Sequence, residues 1–215
     1  MEEFFTKEGT WYGGFYELAV ELGERSDDRL LHALEALWEF PVLDGCYSSS
    51  GIEPWEKTKI EPSQWLDELK DSDGVSHLYG SATLVDGNNI VCGSVIIRED
   101  EGVDWLDFYL PVAALVENYK LDGYPFGNTI EVSGEMRSFF IEFDNWFVEI
   151  ARHIYSSVPF KLALIGNEVS GDVYSSEIIG VVVPEERWFG YMWPAGENLN
   201  YFPRNIWRPE MVFEK

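Results

Sequence analysis

Residues 143–172, FDNWFVEIARHIYSSVPFKLALIGNEVSGD, constrain the fold of this chain more than any other stretch. Trp146, Phe147, Ile150, Ala151, Ile154 and Tyr155 recur at the helical period and form one broad apolar stripe. Glu149, Arg152, His153 and Ser156 fall opposite it, so the spacing predicts an amphipathic helix with Asp144 as its expected cap. Pro159 ends that helix, because proline has no N–H to continue the ladder. Residues 160–165 are then apolar except for Lys161, the pattern of a strand buried on both faces. A polar loop follows, carrying Asn167, Glu168, Ser170, Gly171 and Asp172.

The rest of the chain reads around that core. Residues 11–22 predict a strand with Tyr16, Leu18, Val20 and Leu22 on one face and Glu17, Ala19 and Glu21 on the other. Gly13-Gly14 marks a bulge or a close backbone approach just before it. Ser26 or Asp27 caps the next helix, in which Leu30, Leu31, Leu34, Leu37 and Trp38 share a face. Residues 42–61 are irregular, with one short strand near 58–60, and 62–70 predict a short helix before a turn at 71–74. Residues 75–85, 90–98 and 103–110 form a three-stranded meander, with Asp86-Gly87-Asn88-Asn89 as a hairpin turn. Residues 111–119 are a short helix or an irregular turn, 121–128 a loop, and 129–141 hold one or two strands. A strand at 178–183 and a hairpin of 187–193 with 199–202 complete the order. The expected fold class is α+β: one domain over residues 1–215, a mostly antiparallel sheet with two principal helices packed on it.

Charge sets the class of partner. The chain has 39 acidic and 15 basic residues, a net charge of −24, which repels nucleic acid and anionic membrane and attracts a basic protein. The same surplus also suits a merely solvated acidic surface. The opening MEEFFTKEGT has neither a basic n-region nor an apolar h-region, and no apolar run reaches membrane-spanning length, so the expected location is cytoplasmic. Cys46 and Cys92 are isolated and are expected to be buried free thiols.

Motifs that carry chemistry are scarce. The sequence contains no GxSxG, HExxH, P-loop or strand-borne GxGxxG, its three histidines are scattered, and neither a metal site nor a cofactor is expected. The strongest catalytic candidates are Glu168 and Asp172, carboxylates at the end of a buried strand, although loops are also where acids ordinarily sit. A second acidic concentration comprises Glu99, Asp100, Glu101, Asp104 and Asp107. Asp104 and Asp107 have opposite parity and are expected on opposite faces. Charged turns of this kind also discourage sheet edges from pairing with other chains. Trp188, Tyr191 and Trp193 crowd the C-terminal hairpin and suit an interface anchor or a sugar-stacking platform. Packing of those rings against nearby arginines inside the domain accounts for them equally well.

The strand WYGGFYELAVEL followed by the helix DDRLLHALEALWEF, in a small acidic α+β chain, resembles bacterial immunity proteins of polymorphic toxin systems. The resemblance covers about the first fifth of the chain. It implies a protein that binds and blocks a cognate toxin, often a nuclease, with no shared catalytic residues to carry over. The leading expectation is therefore a non-enzymatic binding protein, monomeric or homodimeric, that neutralises a basic protein partner. Its docking residues would be Glu99, Asp100, Glu101, Asp104, Glu168, Asp172, Trp188, Tyr191 and Trp193. The alternative is a carbohydrate-type small-molecule binder or a hydrolase using Glu168 and Asp172. A self-associating structural protein is a third possibility.

Overall fold

The computed structural model describes residues 5, 7–49, 57–61, 63–64, 75–99, 102–119, 134–178, 183–195 and 198–207. Among them nine strands form one sheet in the order β3-β2-β4-β5-β6-β1-β7-β8-β9, every neighbouring pair antiparallel. In chain order these are β1 (Phe15–Glu24), β2 (Leu43–Ser49), β3 (Lys57–Lys59), β4 (Val75–Thr83), β5 (Asn89–Arg98), β6 (Val103–Pro111), β7 (Leu162–Asn167), β8 (Gly190–Ala195) and β9 (Asn198–Phe202). The helices are α1 (Asp27–Trp38), α2 (Val112–Tyr119) and α3 (Gly134–Ser157). The α+β class with an antiparallel sheet is thus the observed one.

β1 joins the two halves of the sheet, pairing with β6 on one side and β7 on the other. Its alternation sends Tyr16, Leu18, Val20 and Leu22 into the principal core under α1 and α3. Leu30, Leu34 and Leu37 of α1 and Phe147, Ile150 and Ile154 of α3 are fully buried there. Burial of each such side chain contributes about 1.5–3 kcal/mol. The opposite face packs a smaller core, Ala19, Trp105, Leu162, Leu164, Val169, Ile178 and Tyr191, beneath the chain that follows β7. One sheet thus has a helix face and a loop face.

Local chemistry explains most boundaries. Ser26 is the α1 cap, its hydroxyl accepting from the Arg29 amide, and Asp27 and Asp28 occupy the positive end of the helix. α3 stops at Ser157, two residues before Pro159. Cys46 and Cys92 are buried and unbridged. β2 forms where the sequence looked irregular, because Gly45 and Gly80, paired across β2 and β4, lie beneath the Trp38 indole. A Cβ at either glycine would come within 2.4 Å of that ring, so bare backbone is what lets α1 settle on the sheet.

Two expectations are corrected. Residues 134–141 are the first turns of α3, not strand: Phe139, Phe140, Phe143 and Phe147 follow the helical period, and the Phe139 and Phe143 rings lie 4.4 Å apart. Asp144 consequently sits inside α3, not at its start, and is buried. Of the strand expected at 178–183 only the two ends are described: Ile178 closes a 3-10 turn, Ser175–Glu177, and Val183 is not in a strand. The turn at 71–74, the loop at 121–128, residues 129–133 of the expected strands, residues 179–182, and all of the expected helix at 62–70 except Ser63 and Gln64 lie outside the described residues.

Candidate functional site: an acidic loop over buried carboxyls

The loop after β7 is held down by glutamates that point out of β1. Glu17 Oε1 accepts the Ser170 amide at 3.0 Å. Glu21 accepts both the amide and the hydroxyl of Ser175 at 2.6 Å. The Tyr174 hydroxyl donates to Glu99 Oε1 at 2.7 Å, and its ring meets Trp105 edge-on at 5.6 Å. Strand alternation alone puts Glu17 and Glu21 here, opposite Tyr16, Leu18 and Val20. At the loop's start Glu168 has φ 48°, and its carboxylate crowds Gly14: a Cβ there would lie 2.9 Å from Glu168 Oε1. The Gly13-Gly14 pair is therefore a close approach, with both residues in the left-handed region.

Beneath this loop lies a pair of carboxyls on adjacent strands. Asp107 of β6 faces Ala19, one pleat along from Glu17. Both are nearly inaccessible, at 3% exposure each, and Asp107 Oδ1 has no hydrogen-bond partner among the described residues. Burial pushes Glu17 up to about 7, against the pull of the Ser170 and Val169 amides, and the charges of Glu168 and Asp172 raise it further. Burial also lifts Asp107 well above the usual carboxylate range, with the Glu17 charge adding to the rise. Two close carboxyls in a poorly solvated place cannot both ionise cheaply, so near neutral pH the pair retains a proton. Asp172 is also raised by burial.

The expected docking residues separate into two groups. Glu168 and Asp172 are exposed and both act on Glu17; Trp188 is 37% exposed; Glu99 joins them through Tyr174. Asp104 is not on that surface. It is 1% exposed, takes two bonds from Arg98 at 3.0 and 3.1 Å, and accepts the Ser26 amide at 2.9 Å, fastening the start of α1 to the sheet. Tyr191 is buried in the smaller core, stacked on Phe189 at 4.9 Å, and Trp193 is half-buried against that core. Asp100 and Glu101 lie outside the described residues. Asp104 and Asp107 do point to opposite sides of β6, as their parity requires.

Glu17 and Glu21 were not among the candidates, and Asp107, counted in the second acidic concentration, is buried instead of surface-borne. The available signal was two glutamates alternating with Tyr, Leu and Val in a strand flanked on both sides. A charged residue on a central strand must be covered by something that satisfies it.

Residues 166–189 contain Glu168, Asp172, Glu177, Glu185 and Glu186, all exposed, against the single cation Arg187. Arg187 is engaged with the Pro184, Glu185 and Pro203 carbonyls at 2.8, 3.3 and 2.8 Å. The loop face therefore presents carboxylates whose one neighbouring cation in that stretch is committed to backbone. Among the described residues no group of three or more His, Cys, Asp or Glu is arranged to hold a metal ion, and no helix is long and apolar enough to cross a membrane.

No protein-family model matches the chain, and no curated protein matches it. Among solved structures it is similar to a chain in a crystal structure of the toxic C-terminal tip of CdiA from Pseudomonas aeruginosa in complex with immune protein. The identity is 16%, the match covers 74% of this chain and 90% of that one, and the TM-score is 0.38. At that score the likeness carries no argument about function.

Proposed function

We propose that this chain binds a basic protein partner through the loop face, as an immunity protein blocks a toxin. The observation that carries the reading is the concentration of Glu168, Asp172, Glu177, Glu185 and Glu186 beside the half-exposed Trp188, with Arg187 already engaged. The net charge of −24 and the strand–helix opening noted above support it. Such a surface accelerates encounter with a cationic protein, and an aromatic anchor slows dissociation. Nucleic acid is repelled by the same field.

The test is association kinetics with the product of the neighbouring reading frame, co-purified with this chain. Glu168→Lys/Asp172→Lys/Glu177→Lys should lower the on-rate by about tenfold or more at low salt and flatten its salt dependence. Wild-type kinetics in the triple variant, or no stable complex at all, would remove the proposal.

One observation favours a second reading. A carboxyl poised near pH 7 beside Glu168 and Asp172 suits a proton donor in a hydrolase. Glycoside turnover by the purified chain, abolished in Glu17→Gln and Glu168→Gln, would install that reading instead.

A further inference from the structure

Three acids hold down the loop that follows β7. Glu17 accepts the Ser170 amide, Glu21 accepts the amide and hydroxyl of Ser175, and Glu99 accepts the Tyr174 hydroxyl. Val169 and Ile178 add apolar seating in the smaller core with Trp105 and Leu164. Underneath, Ser170 spans the carboxyl pair, its amide on Glu17 and its side chain on Asp107. Asp107 is 3% exposed, and its Oδ1 meets no donor. An ionised carboxyl only accepts, so a second charge in the pair adds acceptor capacity where no donor stands.

The surroundings decide what a lost proton does. Glu17 and Asp107 share their face of the sheet with Glu21 of β1, Tyr109 of β6, Gly166 of β7 and Val95 of β5. His77 of β4 lies beyond Val95, and burial lowers its pKa, so it is neutral near pH 7. From the loop come Glu168 and Asp172, both exposed and both raising Glu17. The charges that shift the pair are therefore all negative. Asp144, buried on the helix face, is answered by Arg204, whose Nε donates to it at 2.9 Å; no cation acts in that way on Glu17 or Asp107. β1 is paired along both edges, whereas the loop is tied at a few points and carries two of the repelling acids. Repulsion is relieved most cheaply by moving the loop.

We propose that Glu17 and Asp107 form a proton-held latch. While the pair keeps its proton, residues 168–178 stay seated; loss of the proton lets the loop lift and admit water, with the sheet intact. The opened state uncovers Trp105 and Leu164, so the proton governs whether the smaller core is covered. The latch is a property of the isolated chain and stands whether or not the loop face binds a basic protein.

Native-state amide exchange of the full chain between pH 5 and 8 tests it, each rate being divided by the intrinsic rate at that pH. The Glu17 pKa is about 7 with the loop seated and returns toward 4.5 once water enters. Opening should therefore rise about tenfold or more per pH unit up to pH 7 and level off above it. Protection at the Ser170 and Ser175 amides should fall at least about a hundredfold from pH 5 to 7. At every pH it should stay below that of Ile150 in α3, which reports unfolding of the whole domain. Glu17→Gln/Asp107→Asn leaves the pair no proton to lose and should hold its protection constant across the range. If that variant does not fold, the wild-type profile decides alone. Protection independent of pH, protection equal to that of Ile150 throughout, or an undiminished fall in the folded double variant would overturn the proposal.

Discussion

On the helix face Asp144 is buried against a guanidinium and a tyrosine hydroxyl; on the loop face Glu17 and Asp107 are buried against backbone amides, a serine and each other. Neighbouring residues of β1, Tyr16 and Glu17, reach the two arrangements. Burial pushes all three carboxyls upward, but only Asp144 has a cation to oppose the shift. For Arg204, burial opposes the charge, and Tyr16 and Asp144 outweigh it, so its pKa stands above the ordinary arginine value. The helix face thus uses a charge pair to fix the chain after β9. The loop face tolerates near-neutral carboxyls as the anchors of an acidic surface. A buried acid answered by an internal cation is structural; one left to hold a proton remains responsive to whatever approaches.

Substitutions on the two faces should therefore act in opposite directions. The largest effect is expected from Arg204→Met, which strands the Asp144 charge and should cost about 3–5 kcal/mol in denaturant unfolding. A loss below ~1 kcal/mol would break the contrast, because the pair would then be dispensable.

Glu17→Gln is the matching change on the loop face, with the opposite sign. The folded pKa of Glu17 is raised from 4.5 to about 7, so its favourable contribution is complete below pH 4.5 and disappears as pH rises through 7. The amide still accepts from Ser170 and carries no charge. At ~1.4 kcal/mol per pK unit the variant should gain about 3 kcal/mol at pH 8 and lose the wild-type decline between pH 4.5 and 7. Melting curves across that range measure it; an unchanged slope would mean that Glu17 is not the group retaining the proton.

Gly14→Ala probes how tightly the loop is seated. The residue has φ 83° and its new Cβ would crowd Glu168, so about 1–2 kcal/mol of destabilisation is expected. Amide exchange should accelerate at Glu168–Ser170 and not in α3. Ser26→Ala is the smallest change: its 3.4 Å cap bond is long, and a loss of about 0.5–1 kcal/mol is expected in the same unfolding assay.

The difference between local and distant information explains which features were legible. The meander, the α1 cap, the Pro159 stop and the buried strand β7 each depend on residues adjacent in sequence, and each was read correctly. Residues 134–141 are expected as strand and are helix, because the contacts of the Phe139, Phe140 and Phe143 rings follow the helical period. Asp144 had the residue type of a cap, and nothing nearby announced Arg204, sixty positions away. Glu168 and Asp172 were legible as an acidic loop. Glu17 and Asp107 were not, because a strand glutamate shows its isolation only when its cover is known.

By itself, the sequence determined the periodicities, the large negative charge and the class of fold. Those follow from short-range backbone preference and from summed charge, which need no coordinates. Tertiary structure alone decided which carboxylates are spent inside and which remain on the loop face. Desolvation and pairing depend on what packs against a group, and here those neighbours come from strands and loops far apart along the chain.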